Sequence, residues 1–174
     1  VLYHTLTELY GSYPRAVSDA LMNLLGTHDT ERILTVLGAD PEEFDRPNEW
    51  MAHATLPENR KARALGRLRM AATLQFTVFG IPSIYYGDEA GMTGFCDPFC
   101  RAPYHLEDAD MLRWYTRLSS LRNAHAALRT GAVAVFAPAE DAICVLRSMA
   151  DGRDVFGRKA ENEAVLTVVN RAAR

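Results

Sequence analysis

Two apolar runs, each ending in an acidic turn, constrain the fold of this chain more than any other feature. The first run occupies residues 20–25, stops at Gly26 and is followed by His28 and Asp29. The second, residues 80–86, ends in the letters YYGDEAG, and the sequence between the two runs has helical periodicity. Buried parallel strands present polar residues at their carboxyl ends in this way. The pattern predicts an α/β fold in which the two strand ends lie near each other.

Composition excludes several classes of partner. The chain has 174 residues, of which 48% are hydrophobic and 24% charged, as in globular proteins, and no stretch reads as a membrane span. With a formal charge of -3 and dispersed basic residues, we expect neither nucleic acid nor membrane as a partner. Three cysteines, Cys96, Cys100 and Cys144, predict free thiols in a reducing compartment, which favours the cytoplasm. Because the chain begins without Met in apparent mid-helix, we expect it to belong to a longer protein.

Periodicity predicts the helices around these strands. Short helices are expected at residues 1–10 and 15–19, and a helix of about twenty residues before the second strand. An acidic first turn, an apolar stripe that includes His125, and Gly131 as a C-cap predict one further helix up to Arg129. Residues 38–56 are rich in Pro, Asp and Glu and read as a long loop, in which Trp50 either stacks on a ring of a bound ligand or anchors the loop.

The period changes after Gly131. Short β-type runs at residues 132–136, 142–148 and 164–169 are separated by turn-rich sequence and predict an antiparallel sheet. We therefore expect two domains, an α/β part at residues 1–131 and the start of an all-β domain at residues 132–174.

The residues themselves leave the chemistry of the strand ends open. Carboxylates grouped with a histidine could bind a cation, act on a proton or stabilise a developing positive charge. The pair His28-Asp29 alone is a weak signal, whereas G-x-P-x-x-Y-Y-G-D-E at residues 80–89 is a specific one. A third motif, Asp-Pro-x-x-Arg, is present at residues 97–101.

Taken in this order, the three motifs resemble the C-terminal part of the α-amylase family, glycoside hydrolase family 13, and most closely its neopullulanase and cyclomaltodextrinase group. The resemblance implies the last two strands of a (β/α)8 TIM barrel with their helices, followed by part of an antiparallel β-sandwich. It also implies that Asp29 is the third catalytic carboxylate, the transition-state stabiliser. By the same resemblance His28 hydrogen-bonds the sugar next to the scissile bond, while Asp97 and Arg101 hold a glucosyl unit farther toward the non-reducing end.

Two departures from the family pattern qualify these roles. Residues 102–105 read Ala-Pro-Tyr-His where close relatives carry a Pro-Trp or Met-Trp pair, so the wall of that subsite is altered. The nucleophile and the acid/base carboxylate, which the family places on the fourth and fifth barrel strands, are absent. A full barrel takes about 250 residues, so we expect this chain to be inactive by itself and prone to self-association.

The expected function is therefore part of a retaining α-glucan hydrolase that acts on starch-derived oligosaccharides. No cofactor is expected within the chain, and the calcium ligands of a full-length enzyme would lie upstream. Two alternatives remain open, a non-enzymatic interaction subunit with an amylase fold and an independent α/β binding module. The retained polar residues His28, Asp29, Asp97 and Arg101 favour sugar handling over a scaffold.

Overall fold

The computed structural model describes residues 1–172, which form two compact units. The first unit comprises residues 1–23 and 73–82 and the chain from 118 onwards, and the second comprises residues 24–72 and 83–117. Both units are therefore discontinuous in sequence. Within the described residues no helix is both long and apolar enough to cross a membrane.

The first unit begins with two helices, α1 (Leu2–Ser12) and α2 (Arg15–Ser18). Strands β1 (Met22–Leu24) and β2 (Ile81–Ser83), which both start in this unit, are hydrogen-bonded neighbours. They lie where strands were predicted, but they are shorter, and the predicted burial is wrong, since Met22 is 61% and Ile81 is 52% exposed. Turns replace the expected strand ends, since Ala20 N–H donates to Val17 O at 3.0 Å and Asp88 N–H donates to Tyr85 O at 3.1 Å.

The antiparallel sheet predicted after Gly131 is confirmed. It consists of β3 (Ala132–Ala139), β4 (Ala142–Met149) and β5 (Glu163–Asn170) in the order β3-β4-β5, and both pairings are antiparallel. Helix α1 contacts β3. On one face of the sheet, Leu146 of β4 lies between Ala134 of β3 and Leu166 of β5. Leu166 and Val168 on this face are more than half exposed, at 55% and 58%.

The predicted helix ending at Arg129 is divided in two. Helix α6 (Ala109–Ala124) is followed by α7 (Ala126–Thr130), because His125 between them is extended at φ -110° and ψ 109°. The His125 ring instead lies 3.0 Å from the carboxylate of Glu163, whose other oxygen accepts the Ala127 N–H. Gly131 is the C-cap, as predicted, and its backbone is extended at φ -75° and ψ 158°.

Arg147 on β4 is fully buried in the first unit. Its guanidinium donates to the carbonyl oxygens of Thr77, Val78 and Gly131 at 3.0–3.1 Å. The bonds to Thr77 and Val78 satisfy carbonyls at the C-terminal end of the helix Glu58–Thr77, where a positive charge is favourable. Burial, together with the charges of neighbouring arginines, lowers the pKa of Arg147 to about 10.

The second unit is built from helices around a small apolar core. Helix α3 (Ile33–Gly38), helix α4 (Asn48–Met51) and most of α5 (Glu58–Thr77) and α6 belong to it. The twenty-residue length predicted for α5 is confirmed. Fully buried residues from all parts of this unit form the core, among them Leu34, Leu68, Met92, Cys100 and Met111.

The segment predicted as a long loop, residues 38–56, contains α4 and a 3-10 turn at Pro41–Glu43. A capping box between Asp40 and Glu43 closes this turn, and Arg60 of α5 binds both carboxylates at 2.6–2.7 Å. The ring of Trp50 packs edge-on against Phe95 with 5.5 Å between ring centres. Trp50 therefore serves as an anchor for the segment, the second of its two expected roles.

Candidate active site

A polar turn follows β1 and presents His28 and Asp29 to solvent. The hydroxyl of Thr27 accepts the Asp29 N–H at 3.2 Å, and the hydroxyl of Thr30 accepts the Thr27 N–H at 3.1 Å. Side chains of Thr commonly close turns in this way, because they replace hydrogen bonds that the backbone cannot make locally. The turn keeps the side chains of His28 and Asp29 exposed, at 64% and 69%.

The structure brings the four sequence-predicted site residues together. His28 Nε2 lies 3.1 Å from Asp29 Oδ2, and Arg101 Nη2 lies 3.4 Å from Asp29 Oδ1. Arg101 also donates from Nε to Asp97 Oδ1 at 2.8 Å. All four side chains are exposed, with Asp97 at 58% and Arg101 at 46%. We call His28, Asp29, Asp97 and Arg101 the site cluster.

A buried cysteine, Cys100, anchors the loop that carries Asp97 and Arg101. Phe99–Arg101 forms a 3-10 turn after a cis Asp97-Pro98 peptide bond, and Cys100 within it is fully buried. The Cys100 thiol donates to the carbonyl oxygen of His28 at 3.5 Å. The next residue, Arg101, is exposed and reaches Asp29. The three cysteines are free thiols.

The second acidic turn meets the first, as the sequence predicts. Arg32 Nη1 donates to Tyr86 O at 2.6 Å and lies 3.7 Å from Asp88 Oδ1. Asp88 is buried, and Glu89 accepts the Gly87 N–H at 2.9 Å. These two carboxylates hold the turn in place and do not belong to the exposed site cluster.

The environment of Asp88 changes its acidity. Burial raises the pKa of Asp88 to about 7, the Arg32 guanidinium opposes this change, and Glu89 adds to it. A carboxyl group with this pKa is protonated below about pH 7 and loses its proton above it. Asp88 is therefore a buried acid beneath the site.

Arg32 is the residue that sequence reasoning missed. It is fully buried, and its guanidinium faces the rings of Tyr85 and Tyr86 at 5.0 and 4.7 Å. Its Nε and Nη2 atoms have no hydrogen-bond partner among residues 1–172. The only signal in the sequence is an arginine placed directly before the apolar start of α3, where burial would not normally be expected.

The altered segment 102–105 lies on the surface beside these turns. Tyr86 donates its hydroxyl to Ala102 O at 2.8 Å, and Tyr104 is 52% exposed. The His105 ring lies 2.8 Å from Glu107, which also binds Lys61 at 2.8 Å. Main-chain and carboxylate contacts raise the pKa of His105.

The part of the chain that the structure describes contains no group of three or more His, Cys, Asp or Glu side chains arranged for a metal ion.

The fold and the clustered polar turns place this chain in a class of barrel-derived α/β proteins. Residues 2–115 match the family described as alpha amylase, catalytic domain, and the chain belongs to the α-amylase family. It is 36% identical over 168 residues to an amylopullulanase from Thermoanaerobacter thermohydrosulfuricus. This match covers 95% of the present chain and 11% of the amylopullulanase. It is also 36% identical over 130 residues to a cyclomaltodextrinase from a Bacillus species, covering 72% of this chain and 19% of that protein.

Solved structures show the same relationship. The cyclic α-maltosyl-(1→6)-maltose hydrolase of Arthrobacter globiformis, in complex with that sugar, superposes with a TM-score of 0.67 at 30% identity. The match covers 86% of this chain and 29% of the hydrolase. The chain thus spans less than a third of each of these relatives.

Proposed function

We propose that this chain supplies the third catalytic carboxylate and a sugar subsite to a retaining α-glucan hydrolase. The observation that carries the proposal is the site cluster, in which residues 28–29 and 97–101 meet on one exposed surface. Relatives named amylopullulanase, cyclomaltodextrinase and cyclic α-maltosyl-(1→6)-maltose hydrolase support the substrate class.

Each residue of the site cluster has a chemical role in this proposal. The transition state of glycoside hydrolysis is oxocarbenium-like, so the negative charge of Asp29 stabilises the positive charge that develops at the anomeric carbon. The His28 ring donates a hydrogen bond to a hydroxyl of the same sugar. Arg101 offers paired donors and Asp97 paired acceptors, a combination that suits the vicinal hydroxyls of a neighbouring glucosyl unit.

The remaining chemistry belongs to residues outside this chain. A retaining mechanism requires a nucleophilic carboxylate and an acid/base carboxylate about 5–5.5 Å apart. We infer that other barrel strands of the whole protein supply both groups, and that residues 1–131 and 132–174 belong to the barrel and to an all-β domain, respectively. The free thiols of Cys96, Cys100 and Cys144 favour a cytoplasmic location.

A non-enzymatic interaction subunit is the competing function. It would not need an arginine shared between two exposed carboxylates, and exposed ion pairs of this kind add little to stability. The clustering of His28, Asp29, Asp97 and Arg101 therefore favours the sugar site.

Sugar binding tests the proposal directly. In the full-length protein, maltotriose, with α-1,4 links, should shift the amide resonances of residues 27–30, 97 and 99–101 in nuclear magnetic resonance spectra. Cellotriose, which differs only in its β-1,4 links, is the matched control and should leave them unchanged. Equal shifts with both sugars, or none with maltotriose, would contradict a dedicated α-glucan subsite.

A further inference from the structure

We propose that Arg32 is a positioning residue that ties the turn carrying Asp29 to the segment leading to Arg101. The inference rests on the proposed function and adds to it a buried group that fixes the geometry of the site cluster. Arg32 itself is fully buried and does not reach the solvent at which a sugar would bind.

Hydrogen bonds from Arg32 and its neighbour Thr35 join the two segments. The Arg32 main-chain N–H donates to Gly94 O at 3.0 Å, and its side chain donates to Tyr86 O at 2.6 Å. The Thr35 hydroxyl accepts the Gly94 N–H at 2.9 Å. Arg32 follows Asp29 by three residues, and Gly94 precedes Asp97 by three. The connection therefore lies immediately beneath the site cluster on both segments.

The second segment is shaped to admit the guanidinium. Gly87 has a φ of +90°, and a Cβ there would lie 2.8 Å from Arg32 Nη1. Only glycine adopts this backbone conformation readily and leaves that space free. The rings of Tyr85 and Tyr86 lie close to the same guanidinium. A glycine, two aromatic rings and a main-chain carbonyl thus surround one side chain.

Stability alone is a poor explanation for this arrangement. A buried ion pair costs about as much in lost hydration as it returns, and apolar residues of similar size are often equally stable. The pair here is weak, since 3.7 Å separates Arg32 Nη1 from Asp88 Oδ1. The Nε and Nη2 donors of Arg32 remain without a partner within residues 1–172, which adds a further cost. We therefore infer that Arg32 serves to hold the two segments in position and not to stabilise the fold.

Precise geometry matters at such a site. A displacement of about 1 Å in a catalytic group can lower the rate about a hundredfold. Without the Arg32 side chain the bond to Tyr86 O is lost, and the Asp29 turn keeps its internal hydrogen bonds, the nearby bonds to Gly94 and its contacts to the loop around Cys100 and Arg101. Its carboxylate would then sample several positions, and the rate of the chemical step would fall more than substrate affinity.

The test compares two buried arginines in the full-length protein. Arg32→Met replaces the guanidinium with an apolar chain, and Arg147→Met is the matched control, because Arg147 is equally buried and also donates to main-chain carbonyls. We expect Arg32→Met to lower kcat at least about tenfold while Tm changes by less than about 4 °C. Arg147→Met should lower Tm and leave kcat of the folded protein within about twofold, as a purely structural residue would.

A conservative variant separates position from charge. Arg32→Lys keeps the charge, but an ammonium has no planar fork and cannot reproduce the contacts of Nη1 while also filling the same space. We expect kcat between those of wild type and Arg32→Met. If Arg32→Met does not fold, an Arg32→Lys enzyme with wild-type kcat would overturn the proposal. An Arg32→Met enzyme that loses kcat only in proportion to its folded fraction would also overturn it.

Hydrogen exchange gives a readout that does not depend on catalysis. The amides of residues 27–30 should exchange faster in Arg32→Met, and those residues should be unchanged in Arg147→Met. Unchanged exchange in both variants would refute the positioning role. If Asp29→Asn retains full kcat, the proposed function fails, whereas faster exchange in Arg32→Met would still show that Arg32 holds this turn.

Discussion

Arg101 and Asp29 are 72 residues apart in sequence, yet Nη2 of the first lies 3.4 Å from Oδ1 of the second. Arg101 also binds Asp97 at 2.8 Å, so one guanidinium bridges two exposed carboxylates. Exposed ion pairs typically contribute about 0–1 kcal/mol to stability. Sugar hydroxyls can therefore compete for these groups at little cost, which suits a binding surface.

Asp29 should act mainly on the rate of the chemical step. In the full-length protein we expect Asp29→Asn to lower kcat about 10²–10³-fold, as for loss of one group that stabilises transition-state charge. KM should change little, because the neutral substrate carries no such charge. Asp45→Asn, an exposed carboxylate outside the site cluster, is the control and should retain activity. An Asp29→Asn enzyme with unchanged kcat would remove Asp29 from the catalytic set.

Arg101 should act mainly on binding. We expect Arg101→Ala to raise KM for longer maltooligosaccharides about tenfold, with a smaller change in kcat, because subsite contacts are similar in ground and transition states. Arg101→Lys should recover only part of this loss, since lysine cannot present paired donors. Steady-state kinetics with maltotriose and maltoheptaose measure the effect. A loss confined to kcat would contradict the subsite role.

The chain by itself should neither hydrolyse soluble maltodextrin nor remain monomeric. Apolar residues of its sheets are exposed, with Met22 at 61% and Ile81 at 52%. Exposed apolar side chains on unpaired sheet edges promote association. Light scattering of the purified chain should give a mass above 19.4 kDa, and Ile81→Lys should lower it more than Val36→Lys on α3. A monomer that releases reducing ends would contradict both expectations.

The sequence predicts those parts of the molecule that depend on short-range pattern. The acidic turns, α5 and the sheet β3-β4-β5 follow from periodicity and turn residues that act over a few positions. The break at His125 depends on Glu163, 38 residues away. Burial of Arg32 depends on Tyr86, 54 residues away. Neither partner can be chosen from the local sequence, because both become neighbours only through packing.

Asp88 should make stability depend on pH in the direction opposite to most carboxylates. Its pKa rises from an ordinary 3.8 to about 7 in the folded chain, mainly through burial. Between these values the folded state holds a proton that the unfolded state has lost, so stability decreases as pH rises. Asp88→Asn should abolish this decrease in stability with rising pH, because the amide does not titrate.

Urea denaturation measures this difference. Wild type and Asp88→Asn should be nearly equal near pH 4, and the Asn variant should become more stable as pH rises to about 7, by a few kcal/mol, since one pKa unit corresponds to about 1.4 kcal/mol. Asp45→Asn, at an exposed carboxylate, is the surface control in the same experiment. A constant difference between Asp88→Asn and wild type across this range would contradict the raised pKa.

Glu163 should stabilise the start of α7. Partial burial would raise the pKa of Glu163, but the Ala127 N–H and the His125 ring outweigh it and lower the pKa below 4.5. The stabilisation is therefore present above that pH and is lost as pH falls. We expect Glu163→Gln to cost about 1 kcal/mol at pH 7, in the range of a helix cap, and less at pH 4. Glu161→Gln, an exposed neighbour, is the control in the same denaturation experiment, and an equal loss in both variants would refute the capping role.

The two discontinuous units have a genetic consequence. The chain passes between them four times, after residues 23, 72, 82 and 117. No single cut can release either unit whole and alone, and a frameshift before residue 118 damages both. A frameshift after residue 117 spares every residue of the unit that carries His28, Asp29, Asp97 and Arg101. Within this chain, a truncation after residue 117 would therefore impair the folding of the first unit, whereas one before residue 97 would also remove part of the polar surface itself.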